Sequence, residues 1–230
     1  MAAKSAKNLK VRRAQLLILG LLGLLGLLFV GLGIFYSSGI SNSAVPQAGV
    51  DYELIADADP SRTGSTIRVD EFFSYGCIHC RNFDPELDEW LQTIPEDMLF
   101  ARRPAAFSPS WATLGQGYLA LEYARALSGN HQRMFRAVHD ERRQFSSGQD
   151  MADYLDGTDF SAEDFMRAFN NPSVARALSR AERDMRRYAI RSVPTLIVAG
   201  KYRIDMGNGT QRALAVADYL IELERQGEAG

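Results

Sequence analysis

Hydrophobic and polar positions divide the chain into two parts with different periodicities. From Ala14 to Tyr36, 23 residues pass without a charge; ten are leucine, and only Gln15 is clearly polar. A helix of that length reaches about 35 Å, enough to cross a hydrocarbon core about 30 Å thick with some tilt. Residues 14–36 are therefore expected to form one N-terminal transmembrane helix. A cleaved signal peptide is the competing reading. Its apolar region is shorter, roughly 7–15 residues, although Ser41-Asn42-Ser43-Ala44 offers a weak cleavage site. Gly20, Gly23 and Gly26 recur every third residue, not every fourth, so they do not make a GxxxG pairing motif. Residues 37–50, rich in Ser, Gly, Ala and Pro, read as a flexible linker.

Beyond the linker, residues 51–230 carry the pattern of one α/β domain. Ile67 and Val69 alternate with Arg68 and Asp70 before the run Phe72-Phe73, as in a central strand. Ser74-Tyr75-Gly76 breaks the pattern, and a helix is expected from Cys77. Asp84-Pro85 kinks or restarts it, and Leu87, Trp90, Leu91 and Ile94 continue an apolar helical face. Met98–Arg102 is a second short strand. Residues 110–191 read as almost wholly helical: Leu114, Tyr118 and Leu121 share a face, and Gly129-Asn130 is expected to stop a helix. Ser161-Ala162-Glu163-Asp164 resembles a capping box, with Phe160 and Phe165 placed for a hydrophobic staple. The charged run Val174–Tyr188 reads as a solvated helix face. Strands at Thr195–Val198 and Lys201–Ile204 flank an Ala199-Gly200 turn, and a last helix covers about Gln211–Arg225. The order is β, α, β, a long helical block, ββ, α.

Charge changes this picture in one respect. The whole chain has 26 basic and 28 acidic side chains, but its first fifty residues hold five basic ones (Lys4, Lys7, Lys10, Arg12, Arg13) and no acid. A basic stub at 1–13 holds the N-terminus in the cytoplasm and sends the rest across the membrane. The remainder carries 21 basic against 28 acidic groups, a poor balance for a nucleic-acid partner. Hydrophobic residues at 46 % and charged ones at 23 % exclude a disordered chain. Two cysteines exclude a multi-disulfide scaffold.

Those two cysteines carry the candidate chemistry. Cys77-Ile78-His79-Cys80 follows a strand and opens a helix, which turns a weak CxxC motif into a strong redox signal. A helix N-terminus presents partial positive charge and unpaired N–H groups, both favouring a thiolate at Cys77, and His79 adds a donor or a cation. Lowering the Cys77 pKa favours the dithiol over the disulfide, so the disulfide becomes a stronger oxidant. Zinc would need four ligands, and Cys77, His79 and Cys80 sit on too short a stretch, with His131 and His139 at no ligand spacing. No metal or cofactor is expected. A structural disulfide closing so short a loop would stabilise little, and inert thiols are improbable in an exported domain.

The segment Glu71-Phe72-Phe73-Ser74-Tyr75-Gly76-Cys77-Ile78-His79-Cys80 resembles the active-site segment of the DsbA family of thiol–disulfide oxidoreductases. Val193-Pro194-Thr195 followed by Gly200-Lys201-Tyr202 is similar to that family's cis-proline loop and the hairpin after it. The likeness spans roughly Tyr52 to Arg225 and implies a thioredoxin fold with an inserted helical domain at about 108–190. It implies that Cys77 is the exposed nucleophile, Cys80 the buried resolving partner, and His79 a stabiliser of the Cys77 thiolate. Pro194 would be cis, presenting the Val193 backbone to a substrate, with Ile78 and Thr195 beside it. Alternation puts Glu71 on the face of Ile67, Val69 and Phe73, where a buried carboxylate would shuttle the Cys80 proton; a solvent-facing strand end is the alternative. Ile78 and Gly76 depart from the family pattern, which has proline and an aromatic there. Asn208-Gly209-Thr210 is a formal glycosylation sequon, read here as a turn.

The expected function is a membrane-tethered dithiol oxidase that introduces disulfides into exported proteins with free thiols. By resemblance, a DsbB-like quinone-linked membrane partner reoxidises it. A reductase or isomerase of the same fold, and a non-catalytic peptide-binding chaperone, are the alternatives. Val50–Thr66 is too short to hold the dimerisation domain usual in the isomerase form.

Overall fold

The computed structural model describes residues 19–32, 45–56, 66–157 and 160–228. The chain divides into two compact units, Met1–Val45 and Pro46–Gly230. In the first, residues 19–32 form helix α1, whose leucines, such as Leu21, Leu24 and Leu27, are exposed. Among the described residues no helix is long and apolar enough to cross a membrane. The basic stub, both ends of the expected 14–36 span and residues 37–44 lie outside the described residues.

The second unit is built on a five-stranded sheet of order β1-β5-β4-β2-β3. Its strands are β1 (Tyr52–Leu54), β2 (Ile67–Phe73), β3 (Met98–Pro104), β4 (Thr195–Val198) and β5 (Tyr202–Ile204). Helix α2 (Ile78–Leu91) crosses over between the parallel strands β2 and β3, and β4 returns antiparallel beside β2. Both faces of β2 are covered, so every residue of it but Arg68 is buried, the charged Asp70 and Glu71 included. Ile67, Val69, Leu196 and Val198 pack with α2 and the last helix α8 (Thr210–Glu228) on one face. Phe72 and Ile197 pack with Met185, Tyr188 and Ile190 on the other.

Five helices separate β3 from β4: α3 (Pro109–Tyr123), α4 (Asn130–His139), α5 (Gly148–Leu155), α6 (Ala162–Phe169) and α7 (Pro172–Arg187). Their starts are chemically marked. The Ser108, Ser147, Ser161 and Asn171 side chains each accept a backbone N–H of the following first turn. Phe160 and Phe165 meet edge-on at 6.3 Å, as the staple at α6 requires. The core of this helical block continues to the thiols: Phe73, Tyr75, Cys77 and Cys80 share it with Leu114, Phe135, Met151 and Phe165.

Several boundaries differ from the sequence expectation. β1 is too short to show a period, and it is pinned by Asp51, which accepts from the Gln47 N–H and pairs with Arg212, each at 2.9 Å. Helix α3 stops at Tyr123, where Arg125 takes a positive φ of 58°; Gly129, φ 76°, precedes α4 rather than ending α3. Helix α2 runs through Pro85 without restarting, so Asp84 is no N-cap. Burial of Phe83, Leu87 and Trp90 holds the helix across the missing N–H.

Candidate active site

The C-terminal end of β2 delivers the chain into a tight turn, where Gly76 N–H donates to Ser74 Oγ at 3.1 Å and Cys77 N–H to Ser74 O at 3.0 Å. Cys77 is the N-cap of α2, and its Sγ accepts the Cys80 N–H at 3.4 Å. Both cysteines are free thiols. Cys77 Sγ donates to the Val193 carbonyl at 3.3 Å across a cis Val193–Pro194 bond. Cys77 retains 7 % exposure and Cys80 none. The expected exposed nucleophile is thus the more open of the two thiols but largely covered, because the cis-proline loop stands against its sulfur.

The two thiols are driven apart electrostatically. Hydrogen bonding from the Cys80 thiol, opposed by burial and helped by the Cys80 and His79 N–H groups and the His79 charge, lowers the Cys77 pKa to about 6. Burial, then the bond to Cys77, then the charge of Glu71 raise Cys80 far above the ordinary thiol range. A side-chain carbon on Gly76 would stand 2.7 Å from Trp111 Nε1, so the indole from α3 occupies the space a larger residue would need. Trp111 packs against Phe107 with ring centroids 5.7 Å apart.

Near enough to Cys80 for Glu71 to act on its thiol lies a charge network, buried at Glu71 and Asp84 and open to solvent at Asp88. Glu71 is 1 % exposed, and burial raises its pKa to about 8 even though Arg102 opposes the shift. Arg102 donates to Glu71 at 3.1 Å, Asp84 at 2.9 Å and Asp88 at 2.8 Å. Asp84 also binds Gln132 and His131 Nε2, the latter at 3.0 Å, while His131 Nδ1 meets Tyr75 Oη at 2.9 Å. An Asp84 carboxylate paired with Arg102 can only accept, so Nε2 donates to it. Among the described residues no buried side-chain nitrogen or oxygen lacks a partner.

Beside the thiols a groove of about 420 Å³ runs between α2 and the cis-proline loop. His79, Val193 and Pro194 line it, with Glu86, Met206 and Thr210. Ile78 is 44 % exposed beside Cys77 but does not line this groove. Thr195 is buried, with its hydroxyl donated to Ser192 O at 2.8 Å, and it faces a second groove with Arg191 and Arg203. Sequence reasoning missed Arg102, Asp84, His131 and Trp111. The signal for Arg102 was its charge in a strand otherwise reading Met98-Leu99-Phe100. For Trp111 it was Gly76, a residue without a side chain in the turn before the thiols.

A helix-capping thiol, a covered partner thiol and a cis-proline loop on this sheet define a thiol–disulfide oxidoreductase of the thioredoxin fold. The DSBA-like thioredoxin domain description matches residues 104–221. The thiol:disulfide interchange protein DsbA of Pseudomonas aeruginosa is 36 % identical over 180 residues, covering 77 % of this chain and 85 % of that protein. The protein of the same name from Azotobacter vinelandii is 35 % identical over 182 residues, covering 78 % and 85 %. The crystal structure of Pseudomonas aeruginosa DsbA matches with a TM-score of 0.78 at 34 % identity, over 82 % of this chain and 99 % of that one. The chain belongs to the DsbA-like thioredoxin domain family, and it is a thiol–disulfide oxidoreductase.

Proposed function

We propose that the protein is a dithiol oxidase for exported proteins, tethered to the bacterial inner membrane with its catalytic domain in the periplasm. The observation that carries the direction of the reaction is the split between the thiols: one lowered to about 6, the other raised by burial. A depressed Cys77 stabilises the dithiol product and makes the disulfide oxidising.

In the forward step a substrate thiolate attacks Sγ of Cys77 in the Cys77–Cys80 disulfide. A mixed disulfide forms at Cys77 and the electron pair of the broken S–S bond goes to Cys80. Glu71, protonated below about pH 8, supplies the proton that Cys80 takes up. A second substrate thiolate then attacks the substrate sulfur, and Cys77 leaves as a thiolate, a good leaving group at its lowered pKa. The substrate loses two electrons and the enzyme gains them. Arg102 holds the Glu71 carboxyl in place, and the groove beside Val193 and Pro194 receives the substrate strand.

Equilibration of the purified protein with glutathione measures the potential. A value well above that of thioredoxin, about −270 mV, is expected; one at or below it overturns the oxidase assignment. The tether would keep the domain near a quinone-linked, DsbB-like reoxidant. Removing the residues before Val50 while preserving export should slow reoxidation in membranes, and an unchanged rate rejects that part of the proposal.

A further inference from the structure

Toward the start of β2, on the α7 face of the sheet, five arginines converge on a concavity of about 380 Å³. Arg68 comes from β2 and Arg103 from β3; Arg180, Arg183 and Arg187 come from α7, where their spacing sets them along one helix face. Among the described residues two carboxylates share the space, Asp70 and Asp184. Asp70 is divided between Arg68 at 2.9 Å and Arg103 at 3.0 Å. Arg180 and Arg183 are exposed, and neither makes a hydrogen bond or ion pair with another of the described residues.

A solvated helix face accounts for the arginines of α7 taken alone. It does not account for two more arginines facing them from the sheet across one pocket. Like charges gathered from three elements repel, and among the described lining residues five guanidinium groups meet two carboxylates. The excess is local, because the chain as a whole has a formal charge of −2. Guanidinium forks around a concavity match the oxygens of an oxyanion, and a phosphate presents enough oxygens to engage more than one fork, where a lone carboxylate engages one. The volume suits a small anion and not a polynucleotide.

We infer that this pocket binds a phosphate-bearing anion, supplied by an anionic lipid headgroup or by a soluble phosphate compound. The test uses the full chain in neutral-detergent micelles, titrated calorimetrically with inorganic pyrophosphate. One saturable site is expected, weakened by added salt and weakened at least tenfold by Arg180→Glu with Arg183→Glu. Thiol-exchange rates with glutathione should be unchanged in that variant, because the pocket lies apart from the thiols. The milder pair Arg180→Gln and Arg183→Gln serves if the reversal fails to fold, and is expected to weaken binding severalfold. Repeating the titration in discs of phosphatidylglycerol and of phosphatidylcholine separates the sources. Weaker pyrophosphate binding in phosphatidylglycerol alone assigns the pocket to a headgroup, and equal binding in both assigns it to a soluble anion. Absence of saturable binding, indifference to the arginine substitutions, or tighter binding of a glutamate-rich peptide of equal charge overturns the inference.

Discussion

Two acid–arginine pairs, one residue apart in sequence, lie on opposite faces of β2 and β3. Glu71 and Arg102 face the α2 side; Asp70 and Arg103 face the α7 side. The chemistry of the partners is nearly the same, yet the two faces behave differently. On the α2 side one guanidinium serves three carboxylates, two of them buried and Asp88 at the solvent edge, and Glu71 is left with a pKa near 8. On the α7 side one aspartate serves two arginines and the space opens into a pocket lined with three more. The ratio of the charges and their access to water set the outcome, not the pairing itself. Excess acid in a dry site yields a group that holds a proton at neutral pH. Excess base in a wet one yields a site for an anion.

The largest expected effect separates the two arginines. Arg102→Met strands the buried Asp84 carboxylate without its cation and removes the donor to Glu71, and removing one partner of a buried pair typically costs about 3–5 kcal/mol. Arg103→Met leaves the buried Asp70 its bond to Arg68, so a smaller loss, about 1 kcal/mol, is expected. Urea unfolding of the reduced proteins measures both. Equal losses would show that the two faces are not as different as their geometry suggests.

Next in size is a pH effect confined to the dry face. Glu71 has a folded pKa of about 8 against an ordinary value of 4.5. Between those values the unfolded chain has released the proton that the folded chain still holds, so stability falls as pH rises through that window. Below pH 4.5 the penalty is absent, and above pH 8 it is complete. Glu71→Gln removes the titration, and should gain on the wild type by a few kcal/mol between about pH 5 and 8. The same variant cannot deliver a proton to Cys80, and exchange should slow on the order of a hundredfold. A flat stability difference across the window, or an unaltered exchange rate, removes Glu71 from its role.

Much of this was legible before any coordinates. The periods at Ile67–Phe73 and Thr195–Val198, the break before Cys77 and the VPT loop place the thiols, the cis-proline and a buried Glu71. What stayed hidden depends on long-range register. Glu71 and Arg102 are 31 residues apart and become partners because β2 and β3 pair in parallel. His131 enters the network from a helix that sequence placed in the helical block only, 56 residues from Tyr75. The arginines of α7 read as a solvated face because nothing local indicates that Arg68 and Arg103 stand opposite.

A smaller effect carries the dry-and-wet contrast to the thiols. The chief cause of the low Cys77 pKa is its bond with the covered Cys80, whereas the exposed His79 acts last and weakly. Cys80→Ala should therefore raise the Cys77 pKa more than His79→Ala does, the latter by less than about one pH unit. Ultraviolet titration of the thiolate reads both. Because the folded value lies below the ordinary 9.0, this thiol stabilises the reduced protein progressively from about pH 6 to 9. That rise should shrink in both variants, most in Cys80→Ala. A larger shift from His79 would mean that its charge, and not the buried partner, holds the thiolate.

The smallest effect belongs to the wet face. Arg68 bonds Asp70 through both Nε and Nη2, but its side chain is 33 % exposed and Asp70 keeps Arg103 when Arg68 is lost. An ion pair in that setting is worth about 0–1 kcal/mol, and Arg68→Gln should cost no more. Its contribution should fade further in high salt, since the pocket is open to screening ions. Measuring the Arg68→Gln loss at low and high salt, beside the Arg102→Met loss, makes the contrast sharp. The first should vanish with salt and the second persist in larger part, because Glu71 and Asp84 are buried and only the Asp88 edge of the guanidinium meets solvent. A salt-sensitive Arg102 would mean that water enters the network, and a Glu71 pKa near 8 could then not survive.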